Sequence, residues 1–139
     1  MIILYYKGGE YYMENNIKNV KQFELWYAEL PEIYIDGEKS HVQQGVRPVV
    51  VVSGYGNNAH SPNCTVLTVT KQDKRNLPCH VRIEDNYKKY GLKMPSTIMG
   101  ENPAHIDKRQ LKYKIGEITE KEMKEKVFKA MAAHYGMAV

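Results

Sequence analysis

The sequence predicts a mainly β domain with helices, a strongly bent sheet or small β-barrel capped by a C-terminal α-helix. Three observations predict it. Short β-branched runs bounded by turn residues recur through the middle of the chain. Near residue 119 the apolar period lengthens to three and four residues. The 139 residues leave room for one domain and one core.

Residues 1–19 read as an N-terminal extension to a domain spanning 20–139. Tyr5, Tyr6, Tyr11 and Tyr12 surround Gly8-Gly9 without a sustained period, and Met13 precedes the polar run Glu14-Asn15-Asn16. The expectation is a loosely attached arm, or a natural start at Met13. Residues 23–30 are aromatic and aliphatic, end at Pro31 and read as a strand. Residues 33–44 mix charges with the turn pair Asp36-Gly37, as a loop or hairpin excursion does. Residues 48–53 carry Val49-Val50-Val51-Val52, a run suited to burial on both faces. Residues 54–62 read as a long turn, 65–70 as another strand, and 71–78 as a basic loop. Residues 80–84 and 96–99 are weaker strands, with a turn over 87–91 between them. Thr119-Glu120-Lys121-Glu122 has the spacing of a capping box. Met123, Val127, Ala130, Met131, His134 and Tyr135 then form one helical stripe that Gly136 is placed to end.

Composition narrows the function classes. No apolar run approaches the ~20 residues a bilayer span requires, and the N-terminal apolar stretch is too short for a secretory signal. Two cysteines, Cys64 and Cys79, neither make a disulfide framework nor complete a zinc site by themselves. A reducing, cytoplasmic address is the expectation. Charge is unevenly placed: residues 1–46 hold four bases against seven acids, whereas residues 71–93 hold seven bases against three acids. A basic middle after an acidic start suits a polyanion; a solvated lysine-bearing loop is the plain alternative. The five histidines show no pair at helical spacing and sit in no recognised ligand motif, so no metal or other cofactor is expected. Walker, dinucleotide-binding and nucleophile-elbow motifs are all missing.

One constellation stands out, Gln43-Gln44-Gly45-Val46-Arg47-Pro48 running into the valine strand. Pro48 biases Arg47 away from helical geometry, which places the arginine at a strand mouth. A guanidinium with five donors suits an RNA phosphate there; pairing with a surface carboxylate is the alternative.

The sequence resembles the MazF/PemK family of toxin endoribonucleases over about residues 23–135. The opening Leu25-Trp26-Tyr27-Ala28-Glu29-Leu30-Pro31 is family-like. So are Gln43, Gly45-Val46-Arg47-Pro48-Val49-Val50-Val51-Val52-Ser53, Gly56-Asn57 and Ser61-Pro62. Thr70, Leu77-Pro78, His80-Val81, Tyr90-Gly91, Ile106-Asp107-Lys108 and Ile115-Gly116 complete an ordered set.

The resemblance implies an SH3-like small β-barrel that dimerises and cuts single-stranded RNA without metal. It also implies a cognate acidic antitoxin as partner. It matches the family's catalytic arginine to Arg47 and its threonine to Thr70, with RNA contacts expected from Gln43, Ser53, Thr68, Lys71, Lys74 and Asn102. The chain departs from the family at Val42-Gln43-Gln44-Gly45 and at Gly100-Glu101-Asn102-Pro103-Ala104-His105, regions that help choose bases. Two other readings stand beside it. CcdB-like toxins on the same fold poison DNA gyrase through an end that resembles Trp-Gly-Ile, whereas this chain ends Tyr135-Gly136-Met137-Ala138-Val139. The third reading is an inactive, antitoxin-binding remnant.

Overall fold

A computed structural model describes residues 2–15, 19–72 and 76–137. Strand β1 (Ile2–Lys7) and strand β2 (Glu10–Asn15) make a two-stranded antiparallel sheet, paired from Ile2↔Asn15 to Lys7↔Glu10. The segment read as an N-terminal extension thus forms a hairpin. Gly8 and Gly9 supply the two positive φ angles, 61° and 85°, that a tight two-residue turn demands.

The main sheet is antiparallel and has six strands. They are β3 (Glu24–Leu30), β6 (Gly45–Val51), β7 (Asn63–Thr70), β8 (His80–Ile83), β9 (Ser96–Asp107) and β10 (Leu111–Glu117). Their spatial order is β10-β3-β6-β7-β9-β8. The mainly β class with a terminal helix is as expected. The sheet stays open, because its outer strands β10 and β8 do not pair with one another. Between β3 and β6 a two-stranded excursion forms from β4 (Tyr34–Ile35) and β5 (Glu38–Lys39). Asp36 and Gly37, at φ 52° and 80°, make its turn as the sequence anticipates.

The valine run explains the layering. Alternation sends Val50 and Val52 to one face, where they join Leu25, Leu67, Val69 and Ile98. It sends Val49 and Val51 to the other, beside Ala28, Cys64, Val66 and Leu111. The first face is covered by helix α2 (Lys121–His134), through Val127 and Ala130, which are 0% and 2% exposed. His134 and Tyr135 belong to the predicted stripe but are exposed. The end of α2 is a Schellman cap: Met137 N donates to Ala132 O and Gly136 N to Ala133 O, with Gly136 at φ 69°.

Four elements depart from expectation. Residues 55–60 form a short helix, α1 (Tyr55–His60), rather than a turn. Asn58 holds it, donating to Ser53 O at 2.7 Å and accepting from Ser53 Oγ. The buried Lys108 ammonium donates to Asn58 O, so α1 is tied to a residue 50 positions away. Strand β9 runs for 12 residues where the sequence predicts strand only over 96–99, passing straight through Pro103. Strand β10 has weak apolar alternation, since much of it is exposed. The capping box does not form. Glu120 is the N-cap of α2, and its carboxylate is drawn instead to Lys89 Nζ and Tyr90 Oη, each at 2.7 Å.

Candidate active site

Arg47 is the third residue of β6, and Thr70 is the last of β7. The two strands pair from Val51↔Val66 to Val49↔Thr68. Continued two steps beyond the last of these pairs, the same antiparallel register would bring Arg47 opposite Thr70. Directly opposed residues of an antiparallel pair share a face. Pro48 has no N–H to offer the ladder, and the β6–β7 pairing stops at the neighbouring Val49. The strand ends can thus part and leave a mouth. Arg47 and Thr70 both line it, in a cleft of about 440 Å³.

The guanidinium is anchored from its own loop. Arg47 Nε donates to Gln44 O at 2.8 Å, and Nη1 donates to Gln43 Oε1. Partial burial lowers the guanidinium's proton affinity, yet an arginine remains charged near neutrality. Thr70 is 6% exposed, and its Oγ1 accepts from Gln72 N at 3.2 Å, which fixes the hydroxyl at the strand end.

The cleft's electrostatics are one-sided. Lys71 and Lys93 join Arg47 in the lining, and among the described residues no carboxylate does. Lys93 Nζ lies 5.8 Å from the centre of the Tyr27 ring, which itself packs on Tyr113 at 5.0 Å between ring centres. Three cations, a buried hydroxyl and an aromatic face make a pocket that can hold a phosphodiester and stack a base. Sequence reading missed Lys93 and Tyr27 as site residues. Lys93 was visible only as part of the basic stretch, and Tyr27 enters because β3 pairs Tyr27 with Pro48.

The remaining predicted residues divide. Lys71 is exposed at the same cleft. Gln43, Thr68 and Asn102 line a second cleft of about 430 Å³ against the middle of β9. Gln43 therefore links the two, lining one and holding the arginine of the other. Thr68 shares the face of Thr70 but is 1% exposed, and its Oγ1 has no partner among the described residues. Asn102 donates to Met99 Sδ at 3.5 Å. Ser53 is not brought to either cleft. It lies six residues beyond Arg47, about 20 Å along an extended chain, and its hydroxyl is committed to Asn58 and to Thr65 N. Lys74 lies outside the described residues.

A cationic cleft on an open β-sheet backed by one helix suits a polyanionic ligand. Residues 21–132 match the PemK-like, MazF-like toxins of type II toxin–antitoxin systems, and the chain belongs to that family. A relative named Endoribonuclease MazF, from Staphylococcus saprophyticus subsp. saprophyticus, is 38% identical over 84 residues, 60% of this chain and 68% of the relative. Among solved structures, an endoribonuclease from Mycobacterial species has a TM-score of 0.67 at 18% identity, covering 88% of this chain and 97% of that one. Another, an endoribonuclease in complex with its cognate antitoxin from Mycobacterial species, has a TM-score of 0.66 at 18% identity, covering 86% and 98%. At these identities the structural likeness speaks for the fold.

Proposed function

We propose that this chain is the endoribonuclease toxin of a toxin–antitoxin pair, cutting single-stranded mRNA by attack of a ribose 2′-hydroxyl on the adjacent phosphorus. The observation that carries the reading is the anchored Arg47 guanidinium sharing one cationic cleft with the Thr70 hydroxyl. In this reaction the 2′-oxygen loses its proton and bonds to phosphorus. The P–O5′ bond breaks, and the 5′-oxygen takes up a proton. The products are a 2′,3′-cyclic phosphate and a 5′-hydroxyl.

Negative charge grows on the phosphoryl oxygens during the transfer, and donors already in place stabilise it most. Arg47 is such a donor, because Gln43 and Gln44 hold the fork before substrate arrives. Thr70 hydrogen-bonds the phosphate or positions the 2′-hydroxyl. Lys71 and Lys93 hold flanking phosphates, and Tyr27 offers a face for a base. The second cleft reads neighbouring bases through the amide groups of Gln43 and Asn102; the Thr68 hydroxyl, buried from solvent, does not take part. Arg47 supplies the positive charge the transition state requires, so the reading calls for no metal.

The toxin activity belongs to residues 20–139, with residues 1–19 an extension of it. The partner is an acidic antitoxin whose segment covers the cationic cleft; the mycobacterial endoribonuclease of similar fold is seen in complex with its cognate antitoxin. The active form is a homodimer in the cytoplasm. No helix among the described residues is long and apolar enough to cross a membrane.

The test is cleavage of single-stranded RNA by purified protein in EDTA, with analysis of the product ends. Cyclic-phosphate and 5′-hydroxyl ends, abolished by Arg47→Ala, are expected. Intact RNA together with trapped gyrase–DNA complexes would overturn the reading in favour of the gyrase poison. Intact RNA with retained antitoxin binding would favour an inactive remnant.

A further inference from the structure

Away from the Arg47 cleft, the turn before β8 and the middle of β9 bring three metal-ligating side chains to one point. Cys79 Sγ lies 3.4 Å from Glu101 Oε2, and His80 Nε2 lies 2.5 Å from that same oxygen. All three donor atoms fall within 4.8 Å of one another. The His80 side chain is only 6% exposed and that of Glu101 29%, so the cluster is set into the protein rather than spread on its surface.

The backbone explains the convergence. Neighbouring residues of a strand point to opposite faces, which would separate Cys79 from His80. Cys79 instead sits in a turn, closed by His80 N donating to Leu77 O at 2.9 Å, and β8 begins only at His80. Across from the turn, Gly100 N donates to Cys79 O at 2.7 Å. A Cβ at Gly100 would come within 2.7 Å of that oxygen and 2.8 Å of Ala130 O, so a glycine lets β9 pass between the turn and α2. The β7–β9 register shifts there: Leu67 faces Pro103 while Val69 faces Ile98. The extra β9 residues between those pairs include Glu101, freed from the ladder to reach the turn.

The hydrogen bonding of Glu101 is lopsided. Oε2 is shared by the thiol and the imidazole, while Oε1 is buried with no partner among the described residues. A carboxylate out of water with one oxygen unserved is an unfavourable arrangement that a bound cation corrects.

We propose that Cys79, His80 and Glu101 form a binding site for a divalent transition-metal ion, with zinc as the ion the donor set fits. A sulfur, a ring nitrogen and a carboxylate oxygen are zinc's three ligand types, whereas magnesium and calcium take oxygen alone. Zn–S and Zn–O bonds of about 2.3 and 2.0 Å at a tetrahedral angle set sulfur and oxygen about 3.5 Å apart, close to the separation found. The His80–Glu101 contact widens by somewhat under about 1 Å on metal entry, as the proton it shares is displaced. Three protein ligands leave the fourth position for water. Glu101 also lines the second cleft, so the ion ties the β8 turn to the wall that carries Asn102. The sequence hid this site because Glu101 is 21 residues from His80.

The full-length protein, stripped with chelator and dialysed, is titrated with Zn²⁺ by calorimetry and with Co²⁺ as a spectroscopic probe. One ion per chain is expected, with a sulfur-to-cobalt charge-transfer band. Cys79→Ser should remove that band. Cys79→Ser and Glu101→Gln should each weaken Zn²⁺ binding more than about tenfold, the least that loss of an outer-shell partner costs. Circular dichroism confirms that the variants fold. Absence of a saturable equivalent or of the charge-transfer band in the unaltered protein overturns the site, as does wild-type affinity in both variants. These readouts are independent of RNA cleavage, which is assayed in chelator.

Discussion

Replacing Arg47 with lysine keeps the charge and removes the fork. Arginine carries five N–H donors in a plane. Here Nε serves Gln44 O and one Nη1 hydrogen serves Gln43 Oε1, leaving three donors for a phosphate. A lysine has three donors on one atom and cannot grip both loop acceptors while presenting two hydrogens to phosphoryl oxygens. Losing one preorganised donor to a developing oxyanion costs about 10²–10³ in rate, or roughly 2.7–4 kcal/mol. Arg47→Lys should therefore lower kcat at least about 100-fold. KM should change far less, because the remaining charge still attracts RNA, and a loss confined to the transition state appears in kcat. The assay is single-turnover cleavage of a fluorescent RNA oligonucleotide, with thermal unfolding run in parallel. A lysine variant that cleaves near the wild-type rate would refute the argument, since bare charge would then suffice. An equal loss of rate and of thermal stability would refute it too, by making Arg47 structural.

The other predictions rest on the same coordinates. Lys71→Gln combined with Lys93→Gln should flatten the salt dependence of RNA binding by about 1.4 in log–log slope, about 0.7 for each phosphate contact to a single strand. Filter binding at several ionic strengths measures it; an unchanged slope would mean the cleft does not carry the RNA. The pH dependence of stability should report Glu120. Lys89 and Tyr90 hold its carboxyl at about 2 against an ordinary 4.5, so its contribution is complete above pH 4.5 and fades as pH falls toward 2. Glu120→Gln should make the loss of thermal stability with acid shallower in that window, and an identical acid limb would show the contacts to be inert.

Much of the fold was legible because it depends on local pattern. Val49 to Val52 announce a strand sandwiched between two apolar layers, and the stripe through Val127 and Ala130 announces the covering helix. Asp36-Gly37 makes its turn because the two residues tolerate positive φ wherever they occur. Strand β10 was illegible for a matching reason. Of its seven residues only Leu111 is fully buried, so alternation left almost no trace. Helix α1 depends on Asn58 meeting Ser53 and Lys108, partners that no period reveals.

The site divides along the same line. By itself the sequence determined that Arg47 takes extended backbone, since Pro48 restricts its neighbour whatever surrounds it, although β6 opens two residues earlier at Gly45. It also determined that the middle of the chain is basic. Only the tertiary structure decided that Arg47 and Thr70 line one cleft, that Lys93 and Tyr27 join them, and that Ser53 does not. It alone gathered Cys79, His80 and Glu101. Backbone preferences and net charge act over one or a few residues, but registers between strands are set by which faces must be buried together. That choice is made by the whole core at once.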